Sequence, residues 1–297
     1  MPQLRVASPA AVRRTMKTLA GLTLGLFLAG AALRAGPAPV RVVSQTVGTD
    51  ELLIALADPA QIAALSPLAG DPDFSAVPDE ARKYPLLPAN GDAESILKYN
   101  PTVVLCADYS RPELVTQLRR AGMRVEVFDH YLTLEDTYAN IRRVARVLGA
   151  DQRGEALIAG CEARVRSLQA RLKGATPARV IAPSTYGLIP GTETTFQDLC
   201  DHVGAENLAA TRAHLVGHAP QPSEQMLTWQ LDYVVVAGAD AKSALAPFRA
   251  MPPYQFMEVV RAGRVAVLPP YLISCVSHHR VRGYEIVARA LHPEVFK

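Results

Sequence analysis

The stretch AESILKYNPTVVL, residues 93–105, indicates the fold class of this chain. Its first half is typical of a short helix, and Val103-Val104-Leu105 is typical of a buried strand. The stretch SEQMLTWQLDYVV, residues 223–235, matches it position by position without a gap. We therefore predict a helix followed by a strand that occurs twice, once in each half of the chain.

Further short runs of β-branched residues lie on either side of this repeat, and segments with helical spacing separate them. The predicted strands are residues 41–44, 62–65, 102–105 and 124–128 in the first half, and 179–182, 233–236 and 264–268 in the second. Alternating strands and helices predict parallel sheets with right-handed crossovers. The predicted fold class is α/β, with two Rossmann-like lobes and a ligand cleft between them, because ligands of open parallel sheets bind beyond the carboxyl ends of the strands.

A long helical stretch without proline separates the two halves, between Thr133 and Thr176. Gly149 is expected to break it into two helices. The second helix, about 151–173, would be roughly 35 Å long at 1.5 Å per residue, which is enough to join two lobes. The predicted organisation is therefore an N-terminal α/β lobe at 39–150, a single connecting helix at 151–174 and a C-terminal α/β lobe at 175–297.

The N-terminal 38 residues have the composition of a cleavable signal peptide. Arg13, Arg14 and Lys17 precede an uncharged, mostly apolar run from 19 to 33, and small residues follow it. Export could use the general secretory route, or the twin-arginine route if Arg13-Arg14 is read as its signal. Removing residues 1–38 takes away five basic residues and no acidic one, so the net charge falls from +3 to about −2 and nothing suggests a nucleic-acid partner.

The chain resembles the helical-backbone periplasmic binding proteins that serve ABC importers of ferric siderophores, haem and cobalamin. The resemblance spans 41–297 and rests on residues 49–56, on 91–97 leading into 100–105, and on the pair of linker helices. It implies a monomeric, non-enzymatic periplasmic protein, with two lobes joined by one rigid helix. It also implies that a haem, a ferric siderophore or a cobalamin is held in the cleft and delivered to a membrane permease.

Loops that follow the predicted strands supply the candidate binding residues. The candidates for ligand contact are Gln45, Thr46, Tyr109, Tyr186, His278, His279 and Arg280. Tyr186 and His278 are the candidate iron ligands if the ligand is haem, because a phenolate or an imidazole suits an axial position. Arg280 is a candidate for gripping a carboxylate or phosphate. The resemblance implies that Glu94 and Glu224, which hold matching positions in the repeat, dock on arginines of the permease.

Two other classes of function remain open from the sequence. A receptor for free zinc or manganese ions could share this architecture, but it would close three or four ligands around a bare ion. His202, His214 and His218 lack the spacing of a helical metal pair, so we expect them to be surface residues. An exported α/β enzyme is the other alternative, although the chain lacks a glycine-rich phosphate loop and a nucleophile elbow. The pairing of the four cysteines cannot be read from their spacing.

Overall fold

The computed structural model describes residues 39–297, and the predicted signal peptide lies outside the described residues. The strands are β1 (Val42–Ser44), β2 (Ile62–Ala64), β3 (Val103–Ala107), β4 (Arg124–Phe128), β5 (Ala178–Ile181), β6 (Leu188–Pro190), β7 (Ala205–Asn207), β8 (His218–Pro220), β9 (Tyr233–Ala237) and β10 (Val265–Leu268). The helices are α1 (Val47–Leu56), α2 (Pro78–Ala81), α3 (Ala93–Leu97), α4 (Pro112–Arg120), α5 (Leu134–Leu148), α6 (Asp151–Leu172), α7 (Thr195–Val203), α8 (Leu208–Thr211), α9 (Ser223–Met226), α10 (Ala241–Arg249), α11 (Glu258–Arg261) and α12 (Arg280–Leu291).

Two four-stranded parallel sheets form the centres of the two lobes. The strand order is β2-β1-β3-β4 in the first sheet and β10-β9-β5-β7 in the second. The two orders are equivalent, because the first strand of each lobe lies between two neighbours and β3 and β9 occupy matching places. The predicted α/β class with two parallel sheets is therefore confirmed. The antiparallel pair β6-β8 was not predicted.

Both faces of the first sheet are covered by helices. Val42 and Leu105 point to the side occupied by α1 and α5, where Leu53 is fully buried. Val43 and Val104 point to the opposite side, against α3 and α4. Because successive residues of a strand face opposite sides of the sheet, burial on both sides explains why these strands are continuous apolar runs.

The helix α6 joins the two lobes. It contains 22 residues, which makes it about 33 Å long. Ile158 belongs to the core of the first lobe, whereas Val165 and Leu168 belong to the core of the second. Gly149 has a φ of +68° and ends α5, as predicted, because glycine adopts the left-handed conformation without steric cost. One buried face of a single helix therefore holds both cores together.

The four cysteines are all buried and none of them forms a disulfide. Within residues 39–297, no helix combines the length and the apolar character needed to cross a membrane.

Candidate functional site

A large cavity lies at the carboxyl ends of the strands and is lined by both lobes. Its volume is about 1150 Å³. Gln45 and Thr46 line it from the end of β1, and Tyr109 lines it from the end of β3. Residues 270–276, which follow β10, form much of the opposite wall. The cavity is therefore the interlobe cleft that the sequence predicted, and three of the seven predicted contact residues line it.

Aromatic side chains form a large part of the cavity wall. The rings of Tyr109 and Tyr131 pack edge to face, with their centroids 5.9 Å apart. Phe74 is 52% exposed and Tyr109 is 63% exposed, so both rings present apolar surface to the cavity. Tyr271 adds a fourth ring from the second lobe. Such exposed aromatic surface is suited to a large, partly apolar ligand.

The phenol groups at this wall are poor acids. Burial raises the pKa of Tyr131 to about 12, and its hydroxyl donates a hydrogen bond to Asp108 Oδ1 at 2.9 Å. Desolvation also raises the pKa of Tyr109 above its usual range. Both hydroxyls are therefore protonated at neutral pH. The Tyr109 hydroxyl is able to donate a hydrogen bond to a ligand, whereas the single proton of Tyr131 is already donated to Asp108.

A buried carboxyl group, that of Glu51, lies at the floor of the cavity. Glu51 is 3% exposed, and its Oε1 accepts a hydrogen bond from the Ala76 amide at 2.7 Å. Its Oε2 accepts a hydrogen bond from the hydroxyl of Ser277, which belongs to the other lobe. Burial raises the pKa of Glu51 to about 7, with a smaller contribution from the neighbouring carboxylate of Asp50. The floor therefore contains an acid that is partly protonated near neutral pH.

Asp50, the neighbour of Glu51 in α1, is fully inside the first lobe. Its two oxygens accept hydrogen bonds from the Ser66 amide, and the Ser66 hydroxyl also donates to it. Burial raises the pKa of Asp50 to about 6. This carboxylate fixes the start of the loop after β2, which forms one wall of the cavity.

A second cavity of about 690 Å³ adjoins the first one. It is lined only by residues of the second lobe, and it shares His218, Ala237 and Ser274 with the larger cavity. Tyr186 lines this second cavity and is 89% exposed. The predicted contact residue Tyr186 thus faces an annex of the cleft, whereas Tyr109 faces its main part.

His278, His279 and Arg280 are not among the residues that line either cavity. The two imidazole rings lie 4.0 Å apart, and burial lowers the pKa of His278 to about 3 and that of His279 to about 4. These histidines are therefore neutral and packed against protein at physiological pH. The sequence led us to expect His278, His279 and Arg280 at the cleft, but the structure has them behind its wall, because the chain after Val276 turns inward to begin α12.

Arg280 has a structural role that the sequence did not reveal. Its guanidinium is 3% exposed and pairs with Asp198 at 2.8 Å. It also donates to the carbonyl oxygens of Leu132 and Thr133, each at 2.7 Å. Because Arg280 and Asp198 belong to the second lobe and residues 132–133 to the first, this buried group fastens the lobes to each other. The guanidinium is committed to protein partners and offers little to an anionic ligand.

Asp198 strengthens the same junction from the second lobe. Its Oδ1 accepts a hydrogen bond from the Leu134 amide at 2.9 Å, at the start of α5. Its Oδ2 accepts hydrogen bonds from Arg280 and from the hydroxyl of Tyr284. A buried ion pair in which both carboxylate oxygens and both terminal guanidinium nitrogens are hydrogen-bonded is costly to break by removing one partner.

Glu94 and Glu224 both lie on the surface, and neither of them lines a cavity. Each is exposed, and each occupies the first turn of a short helix, α3 and α9 respectively. The strands that follow these helices, β3 and β9, hold equivalent places in the two sheets. The sequence repeat thus corresponds to a structural repeat, with one exposed carboxylate on each lobe.

The cavity residues that the sequence reasoning missed include Glu51, Tyr131, Glu193 and His218. Glu51 carries a visible signal, since a charged pair precedes the apolar run Leu52-Leu53-Ile54 in one short helix. Tyr131 follows a predicted strand and could have been included on that ground. His218 was expected to be a surface residue, and it is exposed, yet it lines both cavities. Its place in the unpredicted strand β8 explains the omission.

The described residues contain no group of three or more His, Cys, Asp or Glu side chains placed to hold a metal ion together.

Known proteins share this architecture. The sequence profile of the family described as Periplasmic binding protein matches residues 42–272. No curated protein sequence matches the chain. Among solved structures, the periplasmic haem-binding protein RhuT from Roseiflexus sp. RS-1, in apo form, has a TM-score of 0.74 and 23% identity, covering 86% of this chain and 99% of that one.

Two further structures have the same fold. A periplasmic haem-binding protein from Pseudomonas aeruginosa has a TM-score of 0.72 and 24% identity, covering 86% of this chain and 93% of that one. The Helicobacter pylori protein CeuE, in complex with Ni-His, has a TM-score of 0.69 and 15% identity, covering 86% of this chain and 84% of that one. Because the family profile covers most of the chain, this chain belongs to the periplasmic binding protein family, whose members carry ligands and are not enzymes.

Proposed function

We propose that this protein is the exported substrate-binding component of an ABC importer. It captures a metal chelate in the cleft between its lobes, either an iron chelate (haem or a ferric siderophore) or cobalamin, and delivers it to the membrane permease. The observation that carries the proposal is the cavity of about 1150 Å³, which is lined by strand-end loops of both lobes. Similar structures that are described as periplasmic haem-binding proteins agree with this class of ligand.

The size and lining of the cavity support a chelate over a bare ion. A zinc or manganese receptor surrounds its ion with three or four nitrogen and oxygen ligands at about 2 Å. The lining here combines exposed aromatic rings, such as those of Phe74 and Tyr109, with polar groups. Its carboxyl groups and its one imidazole, as far as the structure describes them, are not grouped so that they could hold a metal ion. A lining of this kind is typical of sites for large organic ligands.

Tyr109 is the proposed central contact, with Gln45 and Thr46 beside it on the first lobe. Tyr186 is proposed to contact the part of a larger chelate that extends into the adjoining cavity. If the ligand is haem, either phenol could bind its iron, since the metal itself favours loss of the phenol proton. His278 and His279 could take part only after a rearrangement of the loop before α12, because neither ring lines a cavity.

Delivery is proposed to use Glu94 and Glu224. These exposed carboxylates would pair with arginines on the two permease subunits, one for each lobe. Their matching places in the repeat make such a two-fold arrangement geometrically reasonable. Neither residue lines the ligand cavity, so docking and ligand capture should be separable by mutation.

The experiment is a titration of the purified protein with haem, cyanocobalamin, a panel of ferric siderophores, zinc and manganese. Intrinsic fluorescence from Trp229, the only tryptophan, and ligand absorbance report binding. Saturable binding of one chelate at a micromolar dissociation constant or tighter is expected. The variant Tyr109→Ala should weaken it, whereas Tyr99→Phe, a change outside both cavities, should not. If only zinc or manganese bound, the proposal of a chelate ligand would be wrong, and the protein would be a receptor for a bare metal ion.

A further inference from the structure

The charged groups of the cleft are almost all of one sign. Three carboxyl groups line the larger cavity, those of Glu51, Asp73 and Glu193, together with the imidazole of His218. The adjoining cavity adds no further charged side chain. Among the described residues that line either cavity, there is no lysine and no arginine. A ligand that enters this cleft therefore meets carboxyl groups and neutral polar groups such as the Tyr109 hydroxyl, but no lysine or arginine from the described part of the chain.

The three carboxyl groups lie on different parts of the cavity lining. Asp73 is exposed in the loop after β2 of the first lobe, and Glu193 is exposed in the loop before α7 of the second lobe. Glu51 is buried at the floor, where its oxygens are held by Ala76 and Ser277. The ligand is thus faced by one carboxylate on each wall and by one carboxyl group below.

Arginines near the cleft are occupied by protein groups. Arg280 is bound to Asp198 and to carbonyl oxygens of the first lobe. Arg111, next to the loop that carries the cavity residue Ala89, donates to the Gly91 carbonyl. Neither guanidinium is placed to balance a negative charge inside the cavity, so a ligand carboxylate there would be unpaired.

This arrangement of charges should affect the binding free energies of anionic chelates and of neutral or cationic chelates differently. A ligand carboxylate would lose water, meet no cation and face like charges, all of which oppose binding. A neutral or cationic chelate would lack this penalty. If its periphery presents amide or ammonium N–H groups, it would gain charge-assisted hydrogen bonds to Asp73 and Glu193.

We propose that the cleft selects a neutral or positively charged metal chelate with N–H donors on its periphery, and discriminates against chelates with free carboxylates. This inference rests on the proposed function and narrows its ligand class. An amide-bearing corrinoid and a ferric hydroxamate with a free amine share the required chemistry. Asp73 and Glu193 are the specificity-determining residues, and they act directly on the ligand.

The test compares matched ligands that differ in a carboxylate. One pair is cobinamide and cobyric acid, and the other is ferrioxamine B and its N-succinyl derivative, in which the cationic amine becomes an amide whose added chain ends in a carboxylate. The purified protein is titrated with each of the four by fluorescence quenching at low and high salt. In the pair that binds, the carboxylate-bearing member should bind at least tenfold more weakly, and salt should reduce the difference because exposed charges are screened.

Variants of Asp73 and Glu193 test whether these two residues cause the discrimination against carboxylate-bearing chelates. The double variant D73N/E193Q should lower the ratio of affinities within the pair at least threefold, and D73K/E193K should reverse the preference. The matched control is Glu113→Gln, an exposed carboxylate in α4 that lines neither cavity, and it should leave the ratio unchanged.

Two results would contradict these ideas in different ways. Equal or tighter binding of the carboxylate-bearing members, or the tightest binding by haem over both neutral chelates, would overturn the selectivity while the proposed carrier function stands. Failure of all these chelates, together with saturable binding of zinc or manganese, would overturn the proposed function, because the ligand would be a bare ion and not a chelate.

Discussion

Replacing Glu51, at the floor of the cavity, by glutamine should remove a decrease in the free energy of unfolding that the wild type shows as the pH rises. Burial raises the pKa of this carboxyl group from 4.5 to about 7. A folded-state pKa above the unfolded one means that the native protein binds the proton more tightly. The stabilising contribution is therefore complete below pH 4.5 and is lost as the pH rises through 7.

The size of the effect follows from the interval between the two pKa values of Glu51. At about 1.4 kcal/mol for each pH unit, the wild type should lose roughly 3 kcal/mol of its free energy of unfolding between pH 4.5 and pH 8 through this group. Glutamine cannot ionise. It retains an oxygen for the Ala76 amide and an N–H group for the Ser277 hydroxyl, so its native contacts are nearly the same.

The assay is urea denaturation of both proteins at pH 5, 6, 7 and 8, followed by the fluorescence of Trp229. The two free energies of unfolding should be similar at pH 5, and Glu51→Gln should exceed the wild type by about 3 kcal/mol at pH 8. Glu113→Gln, in an exposed position, is the control and should follow the wild type. If the curves of Glu51→Gln and the wild type stay parallel from pH 5 to 8, the burial argument for Glu51 is wrong.

Three further predictions concern the lobe junction, the ligand and the permease. Asp198→Ala should lower the free energy of unfolding by about 3–5 kcal/mol, because it leaves the buried guanidinium of Arg280 without its anion; in urea denaturation, D198A/R280M should lose less than the two single variants combined. Tyr109→Ala should weaken chelate binding at least tenfold in the fluorescence titration, and unchanged affinity would remove this ring from the site. Glu94→Arg and Glu224→Arg should leave chelate affinity unchanged while abolishing chelate-stimulated ATP hydrolysis by the reconstituted importer, and full stimulation would exclude these carboxylates from docking.

The fold was predictable from the sequence because its strands are buried on both faces. Runs such as Val103-Val104-Leu105 are apolar at every position, and the loops and helices between them have distinct patterns. The paired strands β6 and β8 were not predictable in this way. Both are three-residue strands, both contain proline, and they pair with each other outside the parallel sheets. Because β8 was not predicted, His218, its first residue, was not predicted to line the cavity.

The candidate site was predictable where a residue directly follows a strand, as Gln45, Thr46 and Tyr109 do. It was not predictable where the role of a residue depends on a partner distant in sequence. Arg280 lies in a loop-to-helix segment that looked suitable for an anion, but its partners are Asp198 and residues 132–133, which only the folded chain brings together. Glu51 likewise meets Ser277 across 226 positions of sequence. Contacts between the lobes carry no local signal.

The most direct test of the central claim is a crystal structure of the protein with its tightest-binding chelate, in which the anomalous scattering of iron or cobalt locates the metal. We expect one anomalous peak inside the cavity, between the loop that carries Tyr109 and residues 270–276 of the other lobe. A metal bound outside both cavities would contradict the proposal that the interlobe cleft is the site of chelate capture.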